Sequence, residues 1–382
     1  MITLNGITWN HERGFAPLVF TSRSFSRSHP DVCIKWDKRS LKEYGDYPVD
    51  KLAQKYDIIM IDHPFVGEAY KRDILLDYNK CFDKNTLDDM VRQELGATYR
   101  CYNYRQKQLA FCIDAAAVTS VSRQDLLAAY KLTAPESFNQ VIDFAQSLPT
   151  GKTTAAALCA TDMWCLFLSF GAALSGADFI TQDGIRRDAA EESLALIGRL
   201  LSVLDPRSID WNPIQLLDEM RSGDSVLYAP YAFQYINYAW LDQHNHLQFQ
   251  ASPLWKDAKT GCILGGVGIA VSSHSKYPEQ ALEYVKYVTS SDVQCTDYFM
   301  AGGQPAARDA WLSDINNTLT GNFFANTRTS IENAYVRPRF AGWNIFQEEG
   351  SELLHSGFKK GASCKAMENE LYRLFCNKFL NS

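Results

Sequence analysis

Gly265-Gly266-Val267-Gly268-Ile269-Ala270-Val271-Ser272-Ser273-His274-Ser275-Lys276-Tyr277-Pro278-Glu279-Gln280-Ala281 is the stretch that decides the fold. Residues 267–271 are an apolar run of the length of a buried strand. Residues 272–276 form a polar turn. Pro278 has its φ preset for a first helical turn, and Glu279 suits the positive end of the helix dipole. Ala281, Leu282, Val285 and Val288 recur at helical spacing and predict a packed face. The paired glycines ahead of the run permit close backbone approach or a positive φ. By itself the stretch is a strand, a turn and a helix running toward Gln294.

Working outward, the same alternation recurs. Residues 2–9 read as a first strand and 10–14 as a loop. Residues 15–25 read as a helix with Pro17 in its first turn, and 32–36 as a second strand. Residues 56–61 are a continuous apolar strand of the kind buried in parallel sheets. The loops 10–14 and 62–67 then lie at carboxyl ends of strands, where an open α/β sheet holds ligands. Further on, 101–113 reads as two short strands, 121–130, 164–174 and 189–204 as helices, and 225–229 as a strand.

Composition bounds the function. A chain of 382 residues is long for one core and natural for two. With 46% hydrophobic residues, 21% charged residues and a net charge of −6, it is neither disordered nor a nucleic-acid binder. No apolar window approaches the roughly 18 residues of a membrane span. The ten cysteines are scattered without a Cys-x-x-Cys pair, which predicts reduced core thiols. The first nine residues show no basic start, apolar core or cleavage site. A cytoplasmic location is therefore expected, or a periplasmic or extracellular one if a leader has been removed.

Several phrases, in shared order, resemble the extracellular solute-binding proteins of ABC importers of the sugar-binding type. They are the glycine pair with its strand, Ser-rich turn and Pro-Glu-x-Ala helix; Tyr56-Asp57-Ile58-Ile59-Met60-Ile61-Asp62; Leu75-Leu76-Asp77-Tyr78; Pro135-Glu136-Ser137-Phe138; Ser222-Gly223-Asp224; Gly302-Gly303-Gln304-Pro305-Ala306-Ala307-Arg308; and Tyr335-Val336-Arg337-Pro338-Arg339. Trp9-Asn10-His11-Glu12-Arg13-Gly14 is similar to a leaderless, cytoplasmic subgroup of such proteins, with Glu12 where that subgroup has Pro. The resemblance implies a type II periplasmic-binding-protein-like α/β fold with two lobes, a hinge and a ligand cleft. It divides the chain into lobe 1, residues 1–113 and 265–312, and lobe 2, residues 114–264 and 313–382. It implies a small-molecule ligand, carbohydrate-like or small and polar or anionic, and, for an exported protein, importer membrane subunits as partners. No cofactor, metal, nucleic acid or membrane span is expected.

Aromatic faces stack on sugar rings, while carboxylates and amides bond hydroxyls. Trp9, Phe65, Trp164, Tyr228, Tyr231 and Trp343 are the aromatic candidates, with Asp62 and Asp114 as polar partners and Gly265 and Gly266 as cleft floor or hinge. His11, Glu12 and Arg13 form a polar patch that His63 could face. Arg13 could grip an anion bidentately. An alternative is an enzyme that reuses the cleft, with His11, Glu12 and His63 as acid–base groups and Arg13 as anion anchor. Gly151-Lys152-Thr153-Thr154 lacks the first glycine of a phosphate loop, and His244-Asn245-His246 reads as an exposed pair rather than a metal site.

Overall fold

A computed structural model describes residues 1–40, 49–255, 258 and 262–380. The main sheet has eight strands: β1 Ile2–Trp9, β2 Val32–Arg39, β3 Ile58–Ile61, β4 Phe111–Ser122, β5 Thr153–Thr154, β6 Val226–Phe233, β7 Gln248–Ala251 and β8 Leu264–Val271. The helices that position the site are α1 Glu12–Ser28, α2 Ala160–Ser175, α3 Pro213–Ser222, α4 Pro278–Val288 and α5 Trp343–Lys359.

The strand order is β2-β1-β3-β8-β4-β6-β5, with β7 also paired to β4. β1 pairs parallel with β2 and β3. β8 runs antiparallel to both of its neighbours, β3 and β4. The expected open parallel sheet therefore holds for its first three strands and for the β5–β6 pair at the other edge, but not through β8. β8 enters from the far side of the sheet, so its direction is reversed.

β3 shows why a short run can be wholly apolar. Ile58 and Met60 pack with Leu4, Ile113 and Ile269 on one face, while Ile59 and Ile61 pack with Ile7 on the other. Alternate side chains of a strand point to opposite faces, so a strand covered on both sides has no place for a polar residue. Beyond the turn, α4 begins at Pro278 and buries Ala281, Tyr284, Val285 and Val288, with Leu282 partly buried. Gln294 ends the segment with a structural task. Its side chain donates to Val288 O and accepts from Ala306 N, holding the return loop.

β4 is where the two halves of the sheet join. Residues 111–117 pair with β8, and residues 119–122 pair with β6 and β7. Gln304 braces the junction: its side chain donates to Ala115 O at 2.6 Å and accepts from Ile236 N at 3.0 Å. A third connection passes through residues 335–344. Tyr335 bonds to Leu264 and Cys262, Arg337 pairs with Asp62, and Arg339 Nη1 donates to the carbonyls of Cys101 and Asn103.

Candidate functional site

The joint between the halves holds a cavity of about 460 Å³. Trp9 at the end of β1, Arg13 in the first turn of α1 and Asp62 just past β3 line one wall. Ala116 of β4 and Gly265, Gly266 and Val267 of β8 form the floor. Opposite stand Phe233 and Tyr235, residues 159–162 and Cys165 around the start of α2, Asp210, Asn212, Pro213, Arg337, and Glu352 and His355 of α5.

Trp9 is held in place by the start of α1. A Cβ on Gly14 would lie 2.3 Å from the Trp9 ring, so only glycine lets the first turn of α1 rest on the indole. Thr8 Oγ1 donates to Gly14 O at 2.8 Å and ties the same turn down. That turn starts earlier than the predicted loop allowed. His11 is the N-cap, its Nδ1 accepting from Arg13 N at 3.1 Å, so Glu12, Arg13 and Gly14 are helical and Pro17 lies in the helix interior. The polar run concealed a capped helix start.

This placement separates the expected acid–base group. Glu12 points to solvent, and neither it, His11 nor His63 lines the cavity. Burial pushes the His11 imidazole down to about 4, with Arg13 acting in the same direction. His63 is fully buried, and burial, reinforced by Arg337, lowers it likewise to about 4. Both are neutral near pH 7.

Arg13 does line the cavity, but all three guanidinium nitrogens are engaged. Nε donates to Asp114 Oδ2 at 2.8 Å, Nη2 to Asp114 Oδ1 and Nη1 to Gln234 O at 2.8 Å. The guanidinium also stacks 4.6 Å over the Tyr235 ring. An incoming anion would have to displace a buried bidentate carboxylate, so the expected anion anchor is already occupied. Asp114 lies beneath the cavity with no exposed surface. Burial pushes its carboxyl up, against the pull of Arg13.

Asp62 makes a second ion pair, with Arg337 Nη2 2.5 Å from Oδ2, while Oδ1 accepts from His63 N at 2.8 Å. Burial raises its pKa, but Arg337 and the His63 contacts outweigh burial and hold it at about 2. Five expected aromatic contacts are core residues instead. Trp164 and Trp343 pack at 6.1 Å between ring centres, and the Tyr228 and Tyr231 hydroxyls donate to Pro135 O and Pro253 O. Phe65 is buried in the same cluster. Besides Trp9, the aromatics that reach the cavity, Phe233 and Tyr235, lie just beyond Tyr231. A bulge between Ala229 and Ala232, containing Pro230, shifts the alternation of β6 and breaks the count from Tyr228.

Asp162 escaped the sequence reading altogether. It sits in the first turn of α2, which begins at Ala160 instead of Trp164. Cys159 Sγ donates to its Oδ2 at 3.0 Å, and no cation pairs with it among the described residues. Burial raises its carboxyl to about 7, with the Cys159 bond opposing. Between the ordinary carboxylate range and pH 7 the folded protein retains a proton that the unfolded chain has released. Stability conferred by that proton is present at low pH and falls as pH rises through the window. The empty-cleft protein should lose on the order of 2–4 kcal/mol between about pH 4 and 7 from this group. Urea unfolding across that range should show the slope, and Asp162→Asn should flatten it. An unchanged slope in the variant would refute the assignment.

Among the described residues, no three His, Cys, Asp or Glu side chains are grouped to hold a metal, and no helix is long and apolar enough to cross a membrane. All ten cysteines are free.

A family model for bacterial extracellular solute-binding proteins matches residues 42–315. The chain belongs to that family. Its fold is that of the type II, maltose-binding-protein-like members, with two lobes and a cleft between them. The maltose-bound MalE3 of T. maritima superposes with a TM-score of 0.85 at 14% identity, covering 98% of this chain and 99% of that one. The GacH receptor of Streptomyces glaucescens, solved unliganded and with acarbose, gives 0.81 at 18% identity, covering 99% and 98%. A solute-binding protein of Agrobacterium radiobacter bound to ribitol gives 0.80 at 16% identity, covering 100% and 99%. A probable ABC transporter-binding protein of Deinococcus radiodurans is 22% identical over 275 residues, 66% of this chain and 65% of the relative's own length.

Proposed function

We propose that the cleft binds a small carbohydrate or polyol and presents it to the membrane subunits of an ABC importer. One observation carries this: Trp9, Phe233 and Tyr235 share a single cavity with carboxylates and the Asn212 amide. That combination stacks on the C–H faces of a sugar ring and bonds its hydroxyls. The maltose-, acarbose- and ribitol-bound solved structures support the same class of ligand.

Lobe 1 is assigned to residues 1–113 and 265–312, and lobe 2 to 114–264 and 313–382. The register irregularity in the β4–β8 pairing beside Asp114 and the positive φ of Gly266 support these boundaries. Ligand then closes the lobes about that joint.

The test is calorimetric titration with neutral sugars and polyols, coupled to small-angle scattering for closure. Phe233 is only partly buried. Its replacement by alanine should weaken binding by about 2 kcal/mol, roughly thirtyfold, while moving the melting temperature little. Unchanged affinity in Phe233→Ala would remove the stacking role. Absence of binding across the series would remove the carbohydrate assignment.

A further inference from the structure

The charges on the cavity wall do not balance, and the imbalance bears on what the ligand carries. Both guanidiniums that reach the cavity are matched within the protein, Arg13 by Asp114 and Arg337 by Asp62. Asp210 is matched by Lys359, whose Nζ lies 2.6 Å from Oδ1, with His355 Nε2 at 3.8 Å from the same oxygen. Two wall carboxylates remain without a cation among the described residues, Asp162 and Glu352. Glu352 is exposed to solvent at the rim, where water satisfies its charge. Asp162 is different, because it is half-buried and its protein partner at Oδ2 is a thiol, a weak and uncharged donor.

We propose that the cavity selects a ligand bearing a protonated amine, an amino sugar or aminopolyol, and that Asp162 holds that amine. Such selectivity presupposes the carbohydrate site proposed above and names the feature of the ligand that the site prefers. A hydroxyl would bond to Asp162 and leave its charge uncompensated in a partly desolvated place. An ammonium group supplies both the hydrogen bond and the opposite charge, and charge-assisted bonds are about twice as strong as neutral ones. A carboxylated sugar would compete with Asp62 for Arg337, whose Nε has no hydrogen-bond partner among the described residues, and would add a like charge beside Asp162. The first turn of α2 offers Asp162 the positive end of a helix dipole, yet its carboxyl still rises to about 7 through burial. The helix alone does not satisfy it. A bound cation would.

Isothermal titration of the whole chain at pH 7.5 with glucose, glucosamine and glucuronate, and with cellobiose and deacetylated chitobiose, tests the inference. Glucosamine or chitobiose should bind at least about tenfold more tightly than its hydroxyl counterpart, and glucuronate most weakly. The preference should shrink in high salt. Asp162→Asn should reduce it to within about threefold. The wild-type ranking decides the matter even where that variant folds poorly. Neutral or acidic sugars that bind as well as the amines would overturn the amine preference and leave the carbohydrate assignment standing. If no member of either set binds, both fall together.

Discussion

Asp114→Ala is expected to destabilise the protein by about 3–5 kcal/mol. The substitution strands Arg13, which is 4% exposed and would keep only the Gln234 carbonyl and the Tyr235 ring. A guanidinium cannot shed its proton to escape, so the cost of its desolvation stays in the folded state. The loss also has a structural component, because the pair ties the first turn of α1 to β4 across 101 residues of sequence. Urea denaturation of Asp114→Ala, of Arg13→Met and of the double variant measures the coupling directly. The double variant should recover part of the loss, since it removes the unpaired charge along with its partner. A cost below about 1 kcal/mol for Asp114→Ala would mean that Arg13 finds solvent, contrary to its burial beneath the cavity wall.

Gly266→Ala is the second large effect, expected at about 2–4 kcal/mol. Its φ is +124°, a conformation that residues with a Cβ rarely adopt. A Cβ there would also lie 2.4 Å from the backbone oxygen of Asp114, which has no rotamer by which to move aside. Gly265→Ala makes the informative contrast. There the added atom would meet the Phe233 ring at 2.5 Å. A ring can swing, so Gly265→Ala should cost less stability but more affinity, since Phe233 lines the cavity. Thermal melts and titrations of the two variants should show opposite orders. Matching orders would show that the two glycines act on one common element and not on the backbone and the cavity wall separately.

Local patterns were legible where one element sufficed to read them. The β8 strand, its polar turn and the Pro278 helix follow from apolar periodicity and end signals, and they reappear in place. The family phrases carried the two-lobed fold, because order along a chain survives when individual motifs are weak. Trp9, Arg13, Asp62, Gly265 and Gly266 reach the cavity because they flank strand ends, a rule that topology makes general.

The rest of the site depended on facts that no window of sequence contains. Arg13 looked available for an anion because its partner Asp114 is 101 positions away. Tyr231 and Phe233 exchanged roles through one bulge in β6. Asp162 became visible only once α2 was seen to start at Ala160, four residues ahead of the apolar run that announced it. Trp164 and Trp343, counted as sugar platforms, fill the core because an indole buried on every side stabilises more than one left at a rim.

The position of β8 also governs when this protein can form. It lies between β3 and β4, yet β3 ends at residue 61, β4 ends at residue 122 and β8 begins only at residue 264. During synthesis β3 waits for more than half the chain, and β4 for more than a third of it, with the edge that β8 will fill still open. Contacts so distant in sequence close slowly, because loop entropy is spent before packing returns it. Refolding should therefore have a slow phase whose rate responds to substitutions in residues 264–271 and is indifferent to changes in α1. Until that late strand arrives, the open edges of β3 and β4 are apolar templates for another chain, so a truncated product ending before residue 264 should aggregate where the full chain does not.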